Sequence, residues 1–282
     1  KMNASPLGLR ALSAQDESYR PPAADALLTG RQYAEDYLLP LSQSDLLIDG
    51  LHEQSRIIAV SRQKYRKGDL VGDPARANSL FRLLVEDESG QRNVEADVVI
   101  DTTGTFGNHN WLGAGGAPAV GELACGESIE YGLPDILGED KDAYAGKRTL
   151  VIGSGYSAAT NVVALAKLSS EFSNTEIAWI TNAIDEQPGA PVRRLPDDRL
   201  ATRDELAVRT NELAKSAAVK HLPGSTIGEI RRDPATSQLV VQINVGDTNR
   251  DESFDNIIAN VGYRPDTSLW SELHVQQCYA SD

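Results

Sequence analysis

Arg148-Thr149-Leu150-Val151-Ile152-Gly153-Ser154-Gly155-Tyr156-Ser157-Ala158 is the stretch whose reading decides the fold. Arg148 to Ile152 reads as a short strand of the buried type, and a G-x-G-x-x-A turn follows it directly. Tyr156 to about Leu168 then reads as a helix, apolar at Ala159, Val162, Val163, Leu165 and Ala166, and Glu176 to Ile180 as a second buried strand. Strand, helix and strand in this order form a right-handed parallel crossover. In such a unit Gly153 permits the tight turn, Gly155 lets the backbone approach a pyrophosphate, and Ala158 keeps the helix close to the sheet. The N–H groups of the helix's first turn then face the negative phosphates. A dinucleotide is the ligand this arrangement selects; close packing alone is the other use of such glycines.

The kind of dinucleotide is read at the end of the second strand. An NAD site usually carries an acid there, about 20 residues beyond the glycines, for the ribose hydroxyls. Here the strand ends Trp179-Ile180-Thr181-Asn182, and the first acid beyond is Asp185. The expectation therefore tilts toward NADP, with Thr181 counted in the cofactor site and Arg193-Arg194 in the following loop placed to meet the extra phosphate. A solvated face is the plainer use of two loop arginines.

Outward from this unit, residues 1–31 read as irregular structure with at most short helices, and Gln32 to Leu41 as a helix stopped near Pro40. Ile57–Val60, Phe81–Glu86 and Val94–Ile100 read as strands, the last two joined by a turn at Asp87-Glu88-Ser89-Gly90. Asp101-Thr102-Thr103-Gly104-Thr105-Phe106-Gly107 follows, then a loop with Gly113, Gly115, Gly116 and Pro118. Glycines at a strand exit mark a sharp turn or the close approach of a ligand. The charged run Glu139 to Lys147 reads as a domain boundary. Beyond the crossover come a proline- and charge-rich loop, Ala183 to Asp198, and a helix from about Thr202 to Ala218. Ile227–Arg231 and Gln238–Asn244 read as an inserted hairpin, and Phe254–Val261 as a strand leading into Gly262-Tyr263-Arg264-Pro265-Asp266.

Composition narrows the partners. A net charge of -14, from 41 acidic against 27 basic residues, would repel a nucleic-acid backbone. Cys125 and Cys278 lie far apart, and His52, His109, His221 and His274 are scattered, so neither a redox pair nor a metal site is expected. No run reaches the roughly 18 apolar residues of a membrane span, and the start lacks a signal peptide, so a cytoplasmic location is expected. The chain begins with lysine and reads as a processed product or a piece of something longer. Glu122 and Asp135 read as surface or cap residues, and His109 as a loop hydrogen-bonding group. With no acid–base constellation in view, an organic cofactor would supply any difficult chemical step.

Three segments together resemble the bacterial flavin-containing monooxygenases and the wider pyridine-nucleotide oxidoreductase group. Asp101 to Gly107 resembles their A-T-G-type strand end, Gly153 to Ala158 their nicotinamide-nucleotide motif, and Ala259-Asn260-Val261-Gly262-Tyr263-Arg264-Pro265-Asp266 their later A-T-G-x-R-P-D-type segment. The resemblance implies an α/β, Rossmann-like FAD/NAD(P)-binding fold with an NADP domain inserted into an FAD domain. It implies that Gly153, Ser154, Gly155, Tyr156, Ser157 and Ala158 hold NADP, and that Gly104 and Gly262 sit where the chain crosses between domains. It also implies that NADPH reduces FAD, which monooxygenase members then use with oxygen.

The chain departs from the pattern at both ends. No G-x-G-x-x-G precedes Thr149, and the chain stops at Tyr279-Ala280-Ser281-Asp282, where a second FAD-contacting segment would begin. Residues 1–143 are thus expected as a remnant of the FAD domain, 144–261 as the NAD(P) domain and 262–282 as a truncated return. The lack of a cysteine pair argues against the disulfide-reductase branch. The expected function is an FAD- and NADPH-dependent oxidoreductase, with a flavin monooxygenase of a small-molecule substrate as its sharper form and a homodimer as an admissible assembly. The rival is a non-catalytic NADP-binding or redox-sensing module.

Overall fold

A computed structural model of the chain describes residues 4–23, 26, 28–181, 190–196, 198 and 200–276. The expectations for Asn182, Asp185, Cys278 and most of the loop before Asp198 fall outside these residues. The chain forms two compact units, one taking residues up to Ile100 and from Thr267 onward, the other Asp101–Asp266.

In the first unit, helix α1 (Pro6–Gln15) starts under Ser5, whose hydroxyl accepts from the Gly8 N–H, with Pro6 in its first turn where no donor is missed. A second helical stretch runs from Gly30 to Ser42 through a π-helical turn at Ala34–Leu38. It outlasts Pro40. The Asp36 carbonyl, which an N–H at position 40 would have met, accepts from the Tyr19 hydroxyl at 3.0 Å instead. Strands β1 (Arg56–Arg62), β2 (Phe81–Asp87) and β3 (Gly90–Ala96) form an antiparallel sheet in that order. The strand expected at Val94–Ile100 is corrected: the ladder runs from Asp87↔Gly90 to Phe81↔Ala96, and β2 has no residues left to pair with those beyond. Val98 and Ile100 are exposed.

The second unit holds β4 (Ile129–Glu130), β5 (Arg148–Ile152), β6 (Glu176–Thr181), β7 (Lys220–Pro223), β8 (Ser225–Arg232), β9 (Leu239–Val245), β10 (Thr248–Phe254) and β11 (Asn256–Ala259), with helices α2 (Tyr156–Glu171) and α3 (Ala201–Leu213). A parallel sheet runs β4-β11-β5-β6-β7, and β10-β9-β8 form an antiparallel one. Successive side chains of a strand point to opposite faces. Leu150 and Ile152 accordingly join Ala178, Ile180, Ile257 and Ala259 against Ile230, Val241, Ile243 and Phe254 of the antiparallel sheet. Val151 joins Ile177, Trp179 and Ile258 against Ala158, Val162, Leu165 and Leu168 of α2 and Ala207 of α3. The result is three layers, helices, parallel sheet and antiparallel sheet. Each fully buried Leu, Ile or Val contributes about 1.5–3 kcal/mol of transfer free energy.

One expectation is corrected here, and two further elements join it. The inserted hairpin is a three-stranded sheet, because Thr248-Asn249-Arg250-Asp251-Glu252-Ser253-Phe254 pairs with β9 along its whole length despite its polar sequence. An edge strand with one wet face needs little apolar character. Strand β7, short and ending in Pro223, occupies the other edge of the parallel sheet, where a missing N–H is tolerated. The compact units divide after Ile100 and after Asp266, while the expected domain boundary lies at 143/144 inside the second unit. Strand β4 pairs with β11, and the Val120 carbonyl accepts from the Ile230 N–H at 2.8 Å, which places residues from Asp101 in the same unit as the glycine turn.

Candidate dinucleotide site

The glycine turn leaves the C-terminal end of β5, the central strand of the parallel sheet. Gly153 has φ +124°, and a Cβ there would lie 2.2 Å from the Asn260 carbonyl oxygen, so only glycine fits. The Gly153 N–H donates to the Ile180 carbonyl at 3.0 Å and the Asn260 N–H to the Ile152 carbonyl at 2.8 Å. The Trp179 indole N–H donates to the Gly153 carbonyl at 2.7 Å. The turn is thereby tied to the strands on both sides of β5.

Gly155 differs. Its backbone is extended, at φ -81° and ψ 176°, and a Cβ there would meet no atom within 4 Å. Gly155 is the N-cap of α2 and gives no side-chain cap, so among the described residues the N–H groups of the first turn have neither intrahelical acceptors nor a capping oxygen. They sit at the positive end of a 16-residue helix dipole. Ala158 is fully buried against the sheet, which lets the helix lie close. Ser157 is exposed. Open space, unspent donors and positive potential are what a pyrophosphate needs.

Around the turn, the Tyr156 hydroxyl donates to the Arg193 carbonyl at 2.9 Å. The Asn211 side chain grips Val192 twice, accepting from its N–H and donating to its carbonyl, both at 2.9 Å. Segment 192–194 is thus clamped beside the start of α2. The two arginines in it differ. Arg194 is engaged by Asp204 through two hydrogen bonds, at 2.7 and 2.8 Å, which hold the Asp204 carboxyl below its ordinary value. The exposed Arg193 guanidinium makes no ion pair among the described residues. Thr181 is fully buried, its hydroxyl 3.0 Å from His221 Nε2 on β7, so its side chain is committed to the sheet edge.

Gly104 and Gly262 both have positive φ, +69° and +82°, and lie close in sequence to the two points where the chain passes between units. The residues just after Gly107 pair with the Gly262 segment: the Asn110 N–H donates to the Gly262 carbonyl at 3.0 Å and the Arg264 N–H to the Asn108 carbonyl at 2.9 Å. Asn260, two residues before Gly262, joins α2 to the residues after β4: its Oδ1 accepts from Asn161 Nδ2 at 2.8 Å and its Nδ2 donates to the Gly132 carbonyl at 2.9 Å.

Two residues carry roles that the sequence reading missed. Glu122 is no surface acid. It is fully buried, its carboxylate accepting from the N–H groups of Leu112 and Ala119, at 3.0 and 2.7 Å, and from the Tyr131 hydroxyl at 2.8 Å. Burial, reinforced by this bond, pushes the Tyr131 phenol far up. No local signal marks the role, because the donors belong to a loop that folds back onto the glutamate. Trp179 likewise read only as strand. His109 follows expectation in part: its Nδ1 lies 3.0 Å from the Asn110 carbonyl, and its ring stacks on Tyr131 at 3.5 Å.

A polar cavity of about 310 Å³, lined by Arg148, Ser173, Thr175, Glu176 and Lys220 among others, lies at the opposite end of the sheet, where β5, β6 and β7 begin. It takes no part in the turn. Among the described residues no helix is long and apolar enough to cross a membrane, and no group of three or more His, Cys, Asp or Glu could hold a metal.

A parallel strand that ends in G-x-G-x-x-A, leads into a helix through an open glycine and lies between helices and an antiparallel sheet is the arrangement of a Rossmann-like fold. No family model and no curated protein matches the chain. Solved structures do. Bacillithiol disulfide reductase of Bacillus cereus superposes with a TM-score of 0.60 at 16% identity over 92% of this chain and 66% of that one. The Staphylococcus aureus bacillithiol disulfide reductase gives 0.59 at 14% over 90% and 64%. Ornithine N-hydroxylase of Kutzneria sp. 744 gives 0.55 at 17% over 88% and 63%. The chain therefore has the Rossmann-like FAD/NAD(P)-binding fold and spans just under two thirds of the length of each of these proteins.

Proposed function

We propose that this chain binds NADP(H) at the Gly153–Ala158 turn and forms part of an FAD- and NADPH-dependent oxidoreductase, a flavin monooxygenase acting on a small molecule. The observation that supports it is the open backbone at Gly155 in front of the uncapped first turn of α2. The fold is also that of an ornithine N-hydroxylase whose structure holds reduced FAD, NADP+ and L-ornithine.

In this reading the N–H groups of Ser154, Gly155, Tyr156 and Ser157 hold the pyrophosphate. Gly153 and Ala158 act by shape, the one setting the turn and the other the helix-to-sheet distance. Arg193 meets the 2′-phosphate, and Thr181 orders the strand end through His221 rather than by a side-chain contact. The bound nicotinamide supplies hydride-transfer chemistry, and the protein supplies binding and orientation. The described residues contain a single strand, glycine turn and helix unit of this kind, so FAD is assigned no grip of its own there. The domain reading keeps residues 144–261 as the NADP domain and takes the segments of Gly104 and Gly262 as its junction with the FAD-binding part.

Calorimetric titration with NADP+, NAD+ and FAD, followed by NADPH oxidation with and without oxygen, tests the proposal. NADP+ binding with flavin retention and oxygen-dependent turnover supports it. Nucleotide binding without flavin or turnover assigns the chain to a non-catalytic NADP-binding or redox-sensing module instead, and no nucleotide binding at all defeats both.

A further inference from the structure

We infer that Trp179 is a positioning residue for the pyrophosphate, its indole N–H deciding which way the glycine turn presents its backbone. The inference rests on the dinucleotide reading above. Trp179 lies in β6 with no exposed surface, and a buried indole needs an acceptor for its one donor. That acceptor is the carbonyl of the turn itself, Gly153 O at 2.7 Å.

A trans peptide points its C=O and the following N–H in opposite directions, and no cis bond occurs among the described residues. Drawing the Gly153 carbonyl inward toward Trp179 therefore turns the Ser154 N–H outward. With the peptide reversed, a carbonyl oxygen would face the phosphates and repel them. Glycine is the residue least able to resist that reversal, since both of its backbone torsions are free of Cβ sterics. The strand bonds at Gly153 N and Asn260 N fix the start of the turn but not this peptide plane. The indole is itself held, with the His221 ring 4.9 Å away and His221 bonded to Thr181. Phenylalanine would fill much of the same space, so the atom that sets Trp179 apart is its N–H.

The test compares NADP+, which carries a pyrophosphate, with adenosine 2′-monophosphate, which does not, on the full chain. W179F is predicted to bind NADP+ about fivefold to tenfold more weakly, the range expected for loss of one positioning hydrogen bond, and adenosine 2′-monophosphate unchanged. β-(3-Benzothienyl)alanine at position 179 keeps the shape and removes only the donor. It gives the same selective loss, and it serves alone should W179F melt below the assay temperature. Unchanged NADP+ affinity in a folded variant, or equal losses for both ligands, overturns the positioning role and leaves the dinucleotide reading standing. Failure of the unsubstituted protein to bind NADP+ overturns both.

Discussion

The two glycines of the turn are predicted to fail in opposite ways when each is replaced by alanine. In G153A the new methyl would sit 2.2 Å from the Asn260 carbonyl oxygen and 2.9 Å from its carbon, on a backbone with φ +124°. The neighbour is main chain of β11's exit, not a flexible side chain, so the clash is relieved only by moving the turn. Backbone strain at such a φ costs about 1–3 kcal/mol and overpacking about 1–3 kcal/mol more, which together predict a destabilisation of roughly 2–6 kcal/mol. In G155A the methyl would meet nothing within 4 Å, and φ -81° with ψ 176° suits alanine, so stability should stay within about 0.5 kcal/mol. That methyl would instead occupy the space proposed for the pyrophosphate and weaken NADP+ binding by roughly 5–150-fold. Urea unfolding of both variants and calorimetric titration of G155A at matched temperature measure the pair. A G155A protein as stable as the parent that binds NADP+ equally well would refute the assignment of that space, and a G153A protein of parental stability would refute the packing argument.

Other consequences are open to simpler measurements. Replacing Glu122 by Gln removes a carboxylate that answers two N–H groups and a phenol, and should lower stability by about 2–4 kcal/mol in urea unfolding; a loss below half a kcal/mol would contradict the role. At Glu252 burial raises the carboxyl, but hydrogen bonds from Lys220 and Arg148 outweigh it and leave it below its ordinary 4.5. A lowered folded value means stabilisation that is full above the unfolded value and is lost as pH falls through the folded one. The melting temperature should therefore drop on acidification below about pH 4.5, less steeply in E252Q, which cannot titrate there; parallel pH profiles for the two proteins would rule this out. Arg193→Ala should weaken NADP+ by about tenfold or more and spare NAD+, whereas R194A, which removes a group already engaged by Asp204, should change the ratio little; the reverse pattern in a competition titration would exchange their roles.

How much of this was legible before folding depends on the range of the forces involved. The crossover was legible because its parts are local. Leu150-Val151-Ile152 needs only its own apolarity to read as strand, and Gly153 to Ala158 needs only its spacing to read as turn and helix start. Both of these glycine segments, at Gly104 and Gly262, also showed in sequence, since a positive φ leaves glycine as its mark. Edge strands β7 and β10 did not show, because strands with a wet face or a proline carry little of the usual signal. Glu122 and Trp179 did not show either, for most of their partners are main-chain carbonyls and N–H groups, which nearly every residue possesses and no sequence distinguishes.

The sequence by itself therefore determined that a glycine turn follows a buried strand, where it lies and which helix it starts. Only the tertiary structure decided how that turn is held: Asn260 closing on Gly153 from one neighbouring strand and Trp179 reaching its carbonyl from the other. It also decided which arginine of the pair Asp204 engages and that Glu122 is interior. Local pattern follows from backbone sterics and hydrophobic periodicity, which act over a few residues. Hydrogen-bond partners separated by many residues become neighbours only when the sheet brings β11, β5 and β6 side by side.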